Sequence, residues 1–240
     1  AFGRTFFTSG FWNGTLKISR RMWQIYWAHL CLFVVLAAIT VLAAPPGSHA
    51  MQALAYVVSA PAQAIGGLVT LTYVPMLLDI LPLYIVVLAL VPVMVAGHRL
   101  QPVLPFARSA ALYLATWTFG LAMPGRPDNG QPWFFNPFAW QLCFFLGFAI
   151  GLGWWTPPAL NRPRLVALAA VIVIVSVPFN FWGFTDHLPW LVDIQVATLP
   201  LNTWTNLHPV RLIHFLALAY LTLSLLERAR FLLDTDVAKV

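Results

Sequence analysis

Charge is scarce in this chain. Asp, Glu, Lys and Arg make up 8% of its 240 residues, against roughly a quarter in a soluble domain. That leaves too few ionised groups to solvate a globule of this size, so much of the surface must face lipid. Cysteine is scarcer still. Cys31 and Cys143 are the only two, and both fall inside apolar runs with no loop cysteine to pair with. A disulfide framework is therefore excluded, and both read as small buried hydrophobes. Acidic residues number 7 against 13 Lys and Arg, giving a formal charge of +6. The basic residues lie scattered at the ends of apolar runs rather than on one patch, which argues against a nucleic-acid partner. His-x-x-x-His, Cys-x-x-Cys and Glu-x-x-His spacings are all missing, so no metal is expected. No glycine-rich phosphate loop and no Gly-x-Ser-x-Gly nucleophile turn occurs. The ten-residue alternating segments of a transmembrane β-barrel are absent as well.

What is present is apolar sequence in long runs. Six residues in ten are hydrophobic, and the mean hydropathy is +0.81. Runs at residues 22–43, 75–96, 106–123, 137–155, 165–184 and 209–226 approach the twenty or so residues needed to cross a hydrocarbon core about 30 Å thick. The expectation is an all-α integral membrane protein, a single transmembrane domain over residues 1–240 with a bundle of about six transmembrane helices. Trp23, Tyr26 and Trp27 stand at the start of the first run, where amphipathic rings favour the headgroup layer. Residues 51–64 are too short and too polar to span, and read as an interfacial or re-entrant segment. Pro178 is expected to kink the fifth helix.

Orientation follows from the positive-inside rule. With the amino terminus in the cytoplasm, Arg4, Lys17, Arg20, Arg21, Arg99, Arg108, Arg162, Arg164, Arg228, Arg230 and Lys239 are inside. Only Arg126 and Arg211 are outside. Both termini are expected in the cytoplasm, and the protein in a bacterial inner membrane. Asp79, Asp128, Asp186 and Asp193 bias the outer side towards acid.

Ionisable groups within the membrane are functional candidates by default. Asp79 is read as lying four residues into the second helix, either reaching outer water or paired with a cation in a pocket. Arg211 and His214 are three apart and share a helix face. An arginine there can grip a carboxylate with two parallel hydrogen bonds, or it can reach for headgroups. His208 joins that cluster or faces water. His29, mid-way along the first helix, is expected to hydrogen-bond a neighbouring helix. Residues 131–141 gather Trp133, Phe134, Phe135, Phe138 and Trp140 beside Gln131, Asn136 and Gln141. They read as an aromatic belt with Asn136 capping a helix and Pro137 at its first position, or as a sugar- or lipid-binding rim. Asp186-His187 is a weakly held acid–base pair on a loop.

Three stretches, Pro75-Met-Leu-Leu-Asp-Ile-Leu-Pro-Leu-Tyr84, Trp133-Phe-Phe-Asn-Pro-Phe-Ala-Trp-Gln141 and Val210-Arg-Leu-Ile-His-Phe-Leu-Ala-Leu-Ala219, resemble the OpgC family. These acyltransferase-3-like membrane proteins are implicated in succinylating osmoregulated periplasmic glucans. The resemblance runs from about Gly3 to about Leu226. It implies a glucan acceptor, an acyl donor such as succinyl-CoA, and substrate-binding roles for Asp79, Asn136, Arg211 and His214. Family members carry an upstream helix with an Asp-His pair and further helices downstream. This chain opens on Ala1 with no initiator methionine or leader, so it is expected to be the central portion, without catalytic activity of its own. The other expectation is an accessory subunit of a larger photosynthetic or respiratory membrane assembly, whose aromatic side chains meet other subunits, pigments, quinones or lipid.

Overall fold

The computed structural model describes residues 10–45, 47–75, 78–127, 129–180, 187–198 and 205–237. Among the described residues the fold is all-α, relieved only by one short two-stranded ribbon. Its helices are α1 (Phe11–Ala43), α2 (His49–Ala53), α3 (Ala55–Ser59), α4 (Pro61–Thr70), α5 (Ile80–Leu100), α6 (Leu104–Thr118), α7 (Pro137–Gly151), α8 (Pro163–Asn180), α9 (Pro189–Thr198) and α10 (Pro209–Val237). Each of the six expected runs contains one helix, in α1, α5, α6, α7, α8 and α10. By length and apolarity, α1, α5 and residues 209–229 of α10 are sufficient to cross a membrane, and Pro137–Gly151 and Pro163–Phe179 are apolar but shorter. The chain divides into two compact units. One comprises Ala1–Trp155 with Trp204–Asn206, and the other Thr156–Thr203 with Leu207–Val240.

In the first unit, α1 begins eleven residues before the expected start at 22. Nothing between Phe11 and Met22 breaks a helix, and Gly10, at φ 82°, supplies the turn into it. Its buried stripe, Gly14, Ile18, Ile25, His29 and Phe33, follows steps of four and seven. Ile18 and Ile25 pack with Ile85, Leu88, Val91, Met94 and Val95 of α5 and Phe145 of α7. The Arg99 guanidinium lies 5.3 Å over the Phe11 ring, so the two helices run antiparallel. A second cluster joins Phe33 to Leu54, Ala64, Leu68, Tyr73 and Leu78. It seats the 51–64 segment, which is broken between α2, α3 and α4 and is nowhere long enough to span.

Several boundaries differ from the sequence expectation. α5 starts at Ile80 rather than 75, because the preceding backbone is committed elsewhere. Tyr73 N–H donates to Gly67 O at 3.0 Å and Val74 N–H to Gly125 O at 2.8 Å. α6 stops at Thr118, short of 123, where Gly120 turns to φ 64°. α7 stops at Gly151, short of 155, as Gly153 turns to φ 73° and Trp154 N–H closes back on Ala149 O. Between α6 and α7, β1 (Pro124–Arg126) pairs antiparallel with β2 (Gln131–Pro132). Gly125 has no room for a side chain, since a Cβ there would lie 2.6 Å from Trp133 N.

The second unit is built on α8 packed against α10, with α9 beside α8. α9 is a helix where the sequence promised only loop, and α10 runs eleven residues past the expected end at 226. Pro178 falls inside α8. Asn161, at φ 59°, knots the start of α8 to α10. Its Nδ2 donates to Glu227 Oε2 at 2.6 Å, and its Oδ1 accepts from Arg228 Nε at 2.7 Å. Tyr220 OH donates to Ala159 O at 2.8 Å nearby. Leu168, Val171, Ile174 and Val175 of α8 and Ile213, Phe215, Leu223 and Leu225 of α10 are exposed. Apolar surface this extensive belongs in lipid.

Candidate functional site

Two buried polar residues of the first unit, Asp79 and Asn136, sit in the loops that lead into α5 and α7. Asp79 immediately precedes α5 instead of lying four residues into it, and it is 2% exposed. Its Oδ2 accepts the Phe135 N–H at 3.1 Å. Burial pushes its carboxyl above the usual carboxylate range, while its own N–H and that of Phe135 pull it back. Asn136 is fully buried. Its Oδ1 caps α7 by accepting from Phe138 N, and Pro137 takes the first helical position, both as expected. Its Nδ2 donates to Leu121 O at 2.7 Å and to Asn206 Oδ1 at 2.9 Å, and its N–H donates to Thr205 O at 3.0 Å. Every polar hydrogen of this side chain is used.

Two tryptophans complete the knot. Trp133, 1% exposed, donates Nε1–H to Leu71 O at 3.2 Å, and its backbone N–H donates to Met123 O at 3.0 Å. Trp140 Nε1–H donates to Thr205 O at 3.2 Å. The aromatic stretch is thus anchored inward at Trp133 rather than forming only a belt. Segments 71–79, 121–136 and 205–206 are held together by side-chain-to-backbone bonds, which fix a shape but leave neither Asp79 nor Asn136 idle.

Arg211 and His214 belong to the second unit, in the opening turns of α10, and both are half-buried. His208 precedes that helix and its Nδ1 accepts the Val210 N–H at 3.3 Å, so the neutral ring carries its proton on Nε2. Burial, and then the neighbouring Arg211 charge, lower the His208 pKa. A cation three residues from an imidazole on one helix face is equipped to hold an anion by a two-pronged hydrogen bond.

Other sequence readings need correction. His29 is fully buried, yet neither ring nitrogen has a hydrogen-bond partner among the described residues. Its place on α1 between Ile25 and Phe33 points it into apolar packing. Cys31 is exposed and Cys143 half-buried, so the first is not a buried hydrophobe, though both are free. Asp186 lies outside the described residues, as do Arg4, Asp128 and Lys239. No group of three or more His, Cys, Asp and Glu suited to a metal occurs among the described residues.

Sequence reasoning missed Gly67, Gly125, Asn161 and Asn206. Asn161 left one signal, being a residue type that tolerates the left-handed region and standing just before Arg162-Pro163. Gly67 and Gly125 left none, because their need for a bare Cα arises from distant backbone; a Cβ on Gly67 would meet Tyr73 Cβ at 2.7 Å. No curated protein and no solved structure matches the chain. A family model described as OpgC protein matches residues 1–240, the whole of the sequence given, and the chain belongs to that family.

Proposed function

We propose that this chain forms the membrane bundle of an O-acyltransferase that places succinyl groups on periplasmic glucans. The observation that carries this reading is family membership over the full sequence. The enzyme sits in the bacterial inner membrane, α1, α5, α6, α7, α8 and α10 are its six crossings, and both chain ends are cytoplasmic. Such an orientation opens 44–79, 119–136 and 181–208 to the periplasmic side, with α4 reaching back along α1 to Tyr26. Support comes from the knot: parts of all three segments meet there, through Asp79, Asn136 and Asn206. Asn161, Glu227 and Arg228 fall on the opposite side and meet each other.

The reaction joins a glucan hydroxyl oxygen to the succinyl carbonyl carbon as the thioester C–S bond of a donor such as succinyl-CoA breaks, the hydroxyl proton ending on the departing sulfur to give the free thiol. Succinyl keeps a free carboxylate, and Arg211 is the group to hold it, with His214 one turn along the same face. Asp79 and Asn136 act by positioning, holding the outer loops as a fixed rim beside which the glucan binds.

The test is expression of the whole gene product in cells lacking their own glucan succinylation, with succinyl content of the extracted glucan read by mass spectrometry. Succinylated glucan is expected. Its absence refutes the activity. Removing one partner of a buried charged contact costs 2–5 kcal/mol, so Arg211→Ala should lower succinylation at least about tenfold. An unchanged level in that variant refutes the carboxylate-holding role alone.

A further inference from the structure

The boundary between the two units falls inside a turn. Thr205 and Asn206 belong to the first unit, although Leu207 immediately after them belongs to the second. Three hydrogen bonds on two adjacent residues account for this. Thr205 O accepts both the Asn136 N–H at 3.0 Å and the Trp140 Nε1–H at 3.2 Å, and Asn206 Oδ1 accepts from Asn136 Nδ2 at 2.9 Å. All three donors lie at the start of α7, so the two residues are clipped to the capped end of a helix.

From this clip the chain has little freedom before Arg211. Residues 205–211 read Thr-Asn-Leu-His-Pro-Val-Arg, with no glycine among them. Leu207 is 1% exposed and held at φ 45°, a conformation that is costly for any residue with a Cβ. Pro209 locks its own φ and restricts His208 before it. His208 then takes the first three N–H groups of α10. Its Nδ1 accepts that of Val210, and its carbonyl oxygen accepts those of Arg211 at 2.9 Å and Leu212 at 3.1 Å. The backbone of Arg211 is therefore set by His208, that of His208 by Leu207 and Pro209, and Leu207 follows directly on the clip.

We propose that Asn206 is a positioning residue for Arg211: its bond to Asn136 holds the turn into α10, and through that turn the backbone from which the guanidinium meets a carboxylate-bearing acyl group. The carboxylate end of this proposal rests on the acyltransferase reading, whereas the clip does not. Asn206 acts along the chain and touches no substrate. What it supplies is one acceptor oxygen, so aspartate, which keeps that oxygen, replaces it, and leucine, of similar bulk, does not.

The experiment is a double-mutant cycle on the whole gene product, read as succinyl content of the glucan per amount of protein in the membrane. Asn206→Leu should lower succinylation about fivefold, the worth of one ordinary hydrogen bond. In an Arg211→Ala background the same substitution should change nothing further, because the group it positions is gone. Asn206→Asp should keep most of the wild-type level. Amide hydrogen exchange of the same variants in detergent reads the clip without any activity. Asn206→Leu should speed exchange at Arg211 and Leu212 about fivefold and leave Val166, at the start of α8, unchanged. Equal losses with and without Arg211 overturn the positioning role, as does a fully active Asn206→Leu. Unchanged exchange at Arg211 and Leu212 overturns the clip. A wild type that makes no succinylated glucan sinks the acyltransferase reading instead, and the exchange rates still decide the clip.

Discussion

The two units solve opposite problems with the same kind of helix. In the first, polar side chains are buried and spend their hydrogen bonds across long stretches of chain: Trp133 to Leu71, Asp79 to Phe135, Asn136 to Asn206. In the second, α8 and α10 expose most of their apolar surface, and the polar links gather at one exposed corner around Asn161. Lipid rewards apolar helix surface without choosing one arrangement over another, since hydrocarbon chains are as apolar as leucine. Specific shape therefore comes from hydrogen bonds in loops. Where those are buried they are costly to break, and where water reaches them they are cheap.

The comparison is broken most directly by Asn136→Ala. It removes the α7 cap and both Nδ2 bonds and strands Leu121 O and Asn206 Oδ1, for an expected loss of about 3 kcal/mol. Thermal unfolding in detergent should show it, and a change under about 1 kcal/mol would contradict the buried network. Gly125→Ala ranks next, because its Cβ would meet rigid backbone at Pro132 and Trp133. Overpacking of this kind costs about 2 kcal/mol, and protease cleavage between β1 and β2 should accelerate.

His29→Leu has the opposite sign. Removing two unpartnered buried nitrogens for a side chain of similar bulk should raise stability by about 1 kcal/mol. A fall in the unfolding temperature would mean that the imidazole holds something. Asn161→Gly in the second unit, which keeps the φ of 59° open and removes only the side-chain links, should cost about 0.5 kcal/mol or less, because its partners are exposed and turn to water. If it matched Asn136→Ala, the contrast between the units would collapse.

The smallest effect is a slope with pH. Burial raises the Asp79 carboxyl above its ordinary 3.8 in the folded chain, so ionisation penalises the native state at neutral pH. That penalty is lost as pH falls through the raised value, and is gone below 3.8, where both states are protonated. The wild type should therefore gain on Asp79→Asn between those limits, as read from paired unfolding midpoints. A wild type that instead loses ground to Asp79→Asn on acidification would reverse the assignment.

Class and helix positions were legible in the sequence because their signals are local: twenty apolar residues in a row, or asparagine before proline at residues 136–137. The starts and stops were less so. A hydropathy window cannot register that Val74 gives its N–H to Gly125, and so it carried α5 back to residue 75. Of the candidate site, Asp79 and Asn136 were marked by their polarity in apolar surroundings, but their roles were not. The groups that hold them, the Phe135 N–H and the Leu121 and Thr205 carbonyls, are backbone atoms that every residue possesses. His29 looked like a hydrogen-bonding residue for the converse reason: its chemistry is visible in the sequence and its apolar neighbours in space are not.

One buried pair sets how α6 and α7 can move. Ser109 Oγ donates to Gln141 Oε1 at 2.7 Å, and Gln141 Nε2 donates back to Ser109 O at 2.8 Å. Both residues are buried. Sliding either helix by a single turn, about 5.4 Å, would part the two groups inside an apolar layer with no water to replace them. The pair works as a detent with one notch, holding α6 and α7 to a single register along their lengths.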